Sequence, residues 1–195
     1  MTRRALLAIV GFVGAAALLW WSLFVALPRW FREDPVPPVT SAAPAAAAAQ
    51  RKITATLFFI SEDGMSLVPV QREVNFAEPA VEQARQIVEA QIAPPGPPLG
   101  TAIPAATKLR AIFLSDRGDL FVDLTADVTA RHTGGALDEL FTVYAIVNSL
   151  TVTLPAIARV QILVDGKEVD TLAGHVDLRN PLSKNLTWVK ADNPS

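Results

Sequence analysis

The residues of this chain best suited to chemistry are His175 and Asp177, which flank Val176. In a strand, alternation would set imidazole and carboxylate on one face, as the beginning of a metal site or of an acid–base pair. Two ligands are too few, because structural zinc takes four protein ligands and catalytic zinc three. The chain has only 2 histidines and no cysteine, so any remaining ligands would be distant carboxylates. The other histidine, His132, stands in a predicted loop ahead of Gly134-Gly135. His175 therefore reads first as a structural or surface residue, with a metal or catalytic role as the alternative.

Other reactive patterns are thinner still. No serine occupies a G-x-S-x-G elbow. The lack of cysteine removes a thiolate nucleophile, thiolate zinc sites and disulfides together. The carboxylate pairs Asp116/Asp119 and Glu62/Asp63 fall in predicted turns, where Asp serves local backbone hydrogen bonding. Neither follows the calcium-loop spacing. Gly134-Gly135 before a helix could offer N–H groups to an anion, or could simply be a permissive lead-in. The expectation is no catalytic residue, no cofactor and no metal, hence not an enzyme. A net charge of -2, with no basic run beyond Arg3-Arg4 and Arg51-Lys52, excludes nucleic acid as a partner.

The elements that would position these residues begin at Ile53. Residues 53–60 are β-branched and aromatic and end near the turn signal Asp63-Gly64. Residues 67–76 alternate, which predicts a hairpin whose second strand Pro69 pushes toward a sheet edge. Residues 79–92 predict a helix with Pro79 in its first turn. Val81, Ala84, Val88 and Ile92 form its apolar stripe, while Glu82, Gln83, Arg85, Gln86 and Glu89 face water. The run Pro94-Pro95-Gly96-Pro97-Pro98 stops it. Strands over 108–114 and 120–124, a long helix from Ala136 to about Val152 and a strand over 159–164 complete a ββαββαβ order. That order defines one α+β domain of about five or six strands and two helices.

The long helix carries the most information. Placed at about 100° per residue, Leu137, Leu140, Phe141, Tyr144 and Val147 form one stripe. Val143, Ile146 and Leu150 widen the apolar arc to on the order of 220°. One sheet needs a stripe of only about 100°. The excess predicts either burial between the sheet and the first helix or the C-terminal segment, or an interaction face to which Val143, Ile146 and Leu150 add.

Hydrophobic residues make up 51% of the chain and charged ones only 18%, and the excess concentrates at the N-terminus. Residues 5–27 carry no charge, and about 20 apolar residues span a ~30 Å hydrocarbon core. Trp20, Trp21 and Trp30 gather at the far end of this run, where indoles favour the headgroup level. The run is too long for a cleaved signal and lacks a small-x-small site at its end. The flanking arginines nearly tie, and the four-residue head against a large C-terminal part favours N-in, C-out. The expected organisation is a cytoplasmic tail over 1–4, a transmembrane signal anchor over 5–27 and a Pro/Ala-rich linker over 28–52. A folded domain over 53–182 and a C-terminal tail over 183–195 follow. An extended linker of this length would lift the domain on the order of 50 Å from the bilayer.

Several segments together resemble the GerMN domain family. They are residues 103–109 (IPAATKL), the strand pair ending in 121–124 (FVDL), the Gly-rich approach to a long helix, and residues 160–166 (VQILVDG). Residues 171–178 (TLAGHVDL) with Pro181-Leu182 resemble the tail of one branch of it. The family is named for a spore-germination lipoprotein, and its fold is similar to the ring-building motifs of sporulation secretion machinery. The resemblance implies a non-catalytic interaction or scaffold module outside the cytoplasmic membrane, serving sporulation or cell-envelope assembly. It implies an envelope protein or a second copy as partner. The alternative is a cell-wall ligand, or an accessory role beside a peptidoglycan amidase. Two departures set the chain apart from the namesake: one domain copy in place of a tandem pair, and an apolar helix in place of a lipidated cysteine.

Overall fold

The structure, a computed structural model, describes residues 20–21 and 51–190. The expected membrane span (Trp20 and Trp21 apart), the linker before Arg51 and residues 191–195 lie outside the described residues. Among those described, no helix is long and apolar enough to cross a membrane. From Arg51 the order is β1 (Lys52–Ile60), β2 (Leu67–Asn75), α1 (Ala80–Ile92), β3 (Leu109–Leu114) and β4 (Asp119–Leu124). Then come α2 (Asp127–Ala130), α3 (Ala136–Thr153), β5 (Arg159–Val164), β6 (Lys167–Glu168) and β7 (Leu182–Ser183). This is the α+β class read from the sequence. The short pieces α2, β6 and β7 are additions, each too brief to leave a periodic signature.

β1 and β2 pair antiparallel from Lys52↔Asn75 to Ile60↔Leu67. Asp63 closes the turn by accepting the Ser61 hydroxyl at 2.6 Å and the Met65 N–H at 3.0 Å. Pro69 sits opposite Phe58, whose N–H and carbonyl turn away from β2 to Gln91, so the missing N–H breaks no ladder bond. The outer edge of β1 is covered by helices instead of by a strand. Gln91 of α1 accepts the Phe58 N–H at 2.9 Å and donates to the Phe58 carbonyl at 2.8 Å. Its amide oxygen also accepts from Ser149 of α3 at 2.6 Å. Two residues earlier in β1, the Thr56 N–H donates to Thr153 of α3 at 3.1 Å. Gly100 pairs with Ile60 beyond them.

The second sheet has the order β3-β4-β5-β6, with β7 also on β5. β4 and β5 are parallel, and such neighbours need a crossover, which α3 supplies. Leu120, Val122 and Leu124 alternate inward from β4, and Val160, Ile162 and Val164 from β5. The outward positions carry ion pairs. Arg159 holds Asp119 in a two-point contact at 2.7 and 3.0 Å, and Arg110 donates to Asp123 at 2.9 Å. Asp119 is thus the buried first residue of β4, and its expected role as a turn residue is corrected.

α3 lies between the two sheets. Phe141 and Ala145 pack on Phe58 and Leu67 of the hairpin. Val143, Ile146, Val147 and Leu150 pack into the main core with Ala55, Leu57 and Phe59 of β1 and with β4, β5 and α1. The wide apolar arc is therefore satisfied from both sides within the domain. α1 also departs from its predicted pattern. Gln83, read as facing water, is buried, accepting the Ala77 N–H at 2.8 Å and donating to the Asn75 carbonyl at 3.0 Å. It satisfies backbone groups where the hairpin ends and the helix begins, which a side chain in solvent could not do. α1 stops where Ala93, in extended conformation, precedes Pro94.

The chain beyond Leu182 is knitted into the fold, so residues 183–190 belong to the domain and not to a tail. The Asn148 side chain of α3 clasps the Asn185 backbone by two hydrogen bonds, at 2.7 and 3.0 Å. Leu67 N–H then donates to the Trp188 carbonyl, and Lys190 N–H to Leu67. The Gln91 node gives the clearest stability prediction. Gln91→Leu strands the Phe58 N–H and carbonyl in the interior, while the Ser149 hydroxyl keeps the Ala145 carbonyl, at a cost of about 2–4 kcal/mol. Urea unfolding checks it, and a midpoint equal to that of the unaltered chain would contradict the role.

Candidate functional site

Residues 171–178 do not form a strand, so the alternation that would align His175 with Asp177 is absent. The two side chains take different partners. Asp177 is held by its neighbour Arg179 at 2.7 and 2.9 Å. The Arg179 guanidinium, with the Arg179 N–H, draws the Asp177 carboxyl down to about 2. His175 turns to Glu139 in the first turn of α3, with Nδ1 3.2 Å from Oε2.

Glu139 is the group that sequence reading missed. It is fully buried, yet its carboxylate is enclosed by backbone N–H groups of the 171–178 loop. Leu172 donates to Oε1 at 2.8 Å and His175 to Oε2 at 2.7 Å. Burial alone would raise its pKa, but the N–H groups of Ala173, His175, Leu172 and Val176 together outweigh that and lower it. Gly174, at φ +99°, bends the loop around the carboxylate. The arrangement is a backbone nest filled by the protein's own anion. A glutamate one turn into a helix, with a Gly-containing loop downstream, is too common a pattern to have announced it.

His132 has an equally structural place. The Gly134 N–H donates to its Nδ1 at 3.0 Å, which leaves the proton on Nε2, 3.1 Å from the Thr142 hydroxyl. Thr142 in turn donates to the Ala102 carbonyl at 2.6 Å. Gly134 and Gly135 both have positive φ, so the backbone itself accounts for the pair. Val143, Ile146 and Leu150, read as a possible interaction face, are each 0% exposed. They are core residues shielded by both sheets, and the expected face is corrected. Among the described residues, no cluster of three His, Asp or Glu side chains is placed to hold a metal ion.

Among the described residues, a concave feature lies elsewhere. A groove of about 410 Å³ separates the last turn of α1 from the loop over residues 99–108, and a lobe of about 260 Å³ continues to Leu109 at the head of β3. Ile92, Pro94, Ile103 and Ala105 give it an apolar wall, and Glu89 and Lys108 stand at its rim. Arg72 braces the region from below. Its guanidinium donates to the Ala90 and Pro95 carbonyls at 3.5 and 3.4 Å and lies 5.1 Å from the Phe59 ring centroid.

A central helix enclosed by a hairpin and a mixed sheet, with both histidines engaged in bonds that fix loops, defines a compact α+β domain. Residues 56–170, more than half of the chain, match the Germane family, described as "Sporulation and spore germination"; the protein belongs to that family. Its fold is similar to that of the "Putative Lipoprotein from Clostridium perfringens", at 24% identity and TM-score 0.50, over 68% of this chain and 88% of that one. It is also similar to the tandem GerMN domains of the sporulation protein GerM from Bacillus subtilis, at 18% identity and TM-score 0.53. There the match covers 68% of this chain and 46% of the tandem chain, so this chain spans just under half of that protein. Among curated proteins, none matches the chain significantly.

The Glu139 nest makes stability depend on acidity. A carboxyl whose folded pKa lies below its ordinary 4.5 contributes stability that is complete above that value. The contribution is lost as pH falls through the lower folded value. Glu139→Gln should flatten the fall in urea midpoint between neutral pH and the acid limb, leaving the smaller slope due to Asp63 and Asp177, which are also lowered. An unchanged acid slope in the variant would contradict the assignment.

Proposed function

We propose that the chain is a non-catalytic interaction module of the bacterial cell envelope, held at the cytoplasmic membrane by its N-terminal helix with the GerMN-like domain outside. The observation that carries this reading is the union of two features. One is a Germane-family domain. The other is a charge-free run over residues 5–27, long enough to span a bilayer. The lipoprotein assignment in the name of the Clostridium perfringens neighbour supports a membrane-attached setting. Tethering would act by confinement, raising the effective concentration of the domain toward envelope partners or copies of itself. The linker over residues 28–52 would set its reach. The engagement of His175 by Glu139 and of Asp177 by Arg179 supports a role without catalysis. The groove beside α1 favours a second reading, in which the module binds a cell-wall ligand or assists a peptidoglycan amidase.

Topology is the direct test. Alkaline phosphatase fused after Ser195 should be active in intact cells, and the fusion should stay in the membrane fraction through alkaline carbonate washing. An inactive fusion, or one released by carbonate, would contradict the tethered extracytoplasmic placement. Crosslinking of the intact anchored protein, followed by its isolation from membranes, would then identify the partner class.

A further inference from the structure

Three features of the groove have no structural reason within the domain. Thr107 lines both lobes and is 4% exposed, yet its hydroxyl has no hydrogen-bond partner among the described residues. Buried polar groups are ordinarily satisfied, and a threonine exchanges its hydroxyl and methyl positions by one χ1 step without backbone movement. Ala106 beside it adopts φ +72°, the left-handed region that a β-carbon disfavours. Strain of that kind gathers at ligand clamps. The hollow is also unfilled, although Ile92 and Ile103 border it and its volume falls in the range of about 300–1,000 Å³ usual for ligand sites.

The rim narrows the chemistry of what fits. Glu89 and Lys108 both line the smaller lobe, and neither joins an ion pair among the described residues. A uniformly anionic occupant meets Glu89 and a uniformly cationic one meets Lys108, so an occupant carrying both signs is the complementary one.

The groove opens at Leu109, where β3 begins, and β3 has a free edge. Ser115 N–H donates to the Asp119 carbonyl at 2.9 Å, and the register from there turns the backbone of Phe113 toward β4. The backbone groups of Ile112 and Leu114 then face away from β4, and no described residue bonds to them. An extended chain can add to such an edge while its side chains enter neighbouring pockets.

We propose that this groove binds an extended peptide segment of a partner protein, laid along the open edge of β3. One aliphatic side chain would fill the hollow beside Ile92 and Ile103 while a carbonyl of the peptide backbone accepts from the Thr107 hydroxyl, with an acidic side chain toward Lys108 and a basic one toward Glu89. The proposal rests on the reading of the domain as a binding module and specifies the surface it uses.

The test uses the peptide acetyl-Thr-Glu-Thr-Leu-Thr-Lys-Thr-amide, whose Glu, Leu and Lys share one face of a strand. Its companions are the peptide with Glu and Lys exchanged and the glycine-centred version. Each is titrated into the ¹⁵N-labelled full chain in detergent micelles. One leucine peptide should shift the amides of Thr107, Ile112 and Leu114 with a Kd on the order of 1 mM or tighter. The glycine-centred peptide should bind at least ~10-fold more weakly. Ala105→Trp, at an exposed position on the groove wall, should weaken binding by a similar factor while keeping the thermal midpoint. Glu89→Lys should disfavour the preferred order of charges. No shift at those three amides up to about 10 mM peptide overturns the proposal, as does equal binding of the glycine-centred peptide. Should Ala105→Trp fail to fold, the leucine-against-glycine comparison on the unaltered chain still decides. Failure here leaves the tethered placement standing, since phosphatase topology tests that independently.

Discussion

A helix that is apolar around most of its circumference cannot rest on one sheet and stay folded, and α3 is such a helix. Its requirement for cover on two sides draws the β1–β2 hairpin and the five-stranded sheet into one domain. The polar residues of α3 are just as constrained. Glu139, Thr142, Asn148 and Ser149 are all buried, and each reaches a different remote segment. Glu139 gathers the 171–178 loop, Thr142 takes the Ala102 carbonyl, Asn148 clasps Asn185, and Ser149 works through Gln91 on Phe58. Apolar contact supplies the bulk of the stabilisation, while these bonds choose which backbone lies where.

This division explains what could be read from the sequence. Apolar period and turn chemistry located β1 through β5 and both long helices, because those signals are local. The arc on α3 was visible too, but periodicity cannot say what covers it. Burial of Val143, Ile146 and Leu150 under the first helix or the C-terminal segment is the first reading of that arc and a partner face the second; the first helix does cover them, and the hairpin joins it. Buried polar groups were the systematic omission. Gln83, Gln91 and Glu139 carry polar side chains that any residue scale places in water. Their burial depends on backbone groups offered by segments that are distant in sequence. Ala106 and Thr107 escaped notice for a related reason: strain and an unpaired hydroxyl have no signature in residue type.

The same architecture bears on function. Both histidines spend their hydrogen bonds on fixing loops, His132 through Thr142 and His175 through Glu139. What the domain leaves outward is surface: a groove beside α1, a free β3 edge and an exposed Phe113 on that strand. A rigid interior holding such surfaces suits the proposed role of a module that recognises a partner.

If α3 unites the two sheets, they open together. Native-state hydrogen exchange measures this residue by residue. The amides of Leu57 in β1, Ile146 in α3 and Val122 in β4 should exchange through one event, with opening free energies agreeing within about 1 kcal/mol. If the amides of β1 and β2 instead exchange several-fold more readily, at a free energy well below those of β4 and β5, the hairpin is a separate unit. The account of α3 as the common core would then be wrong.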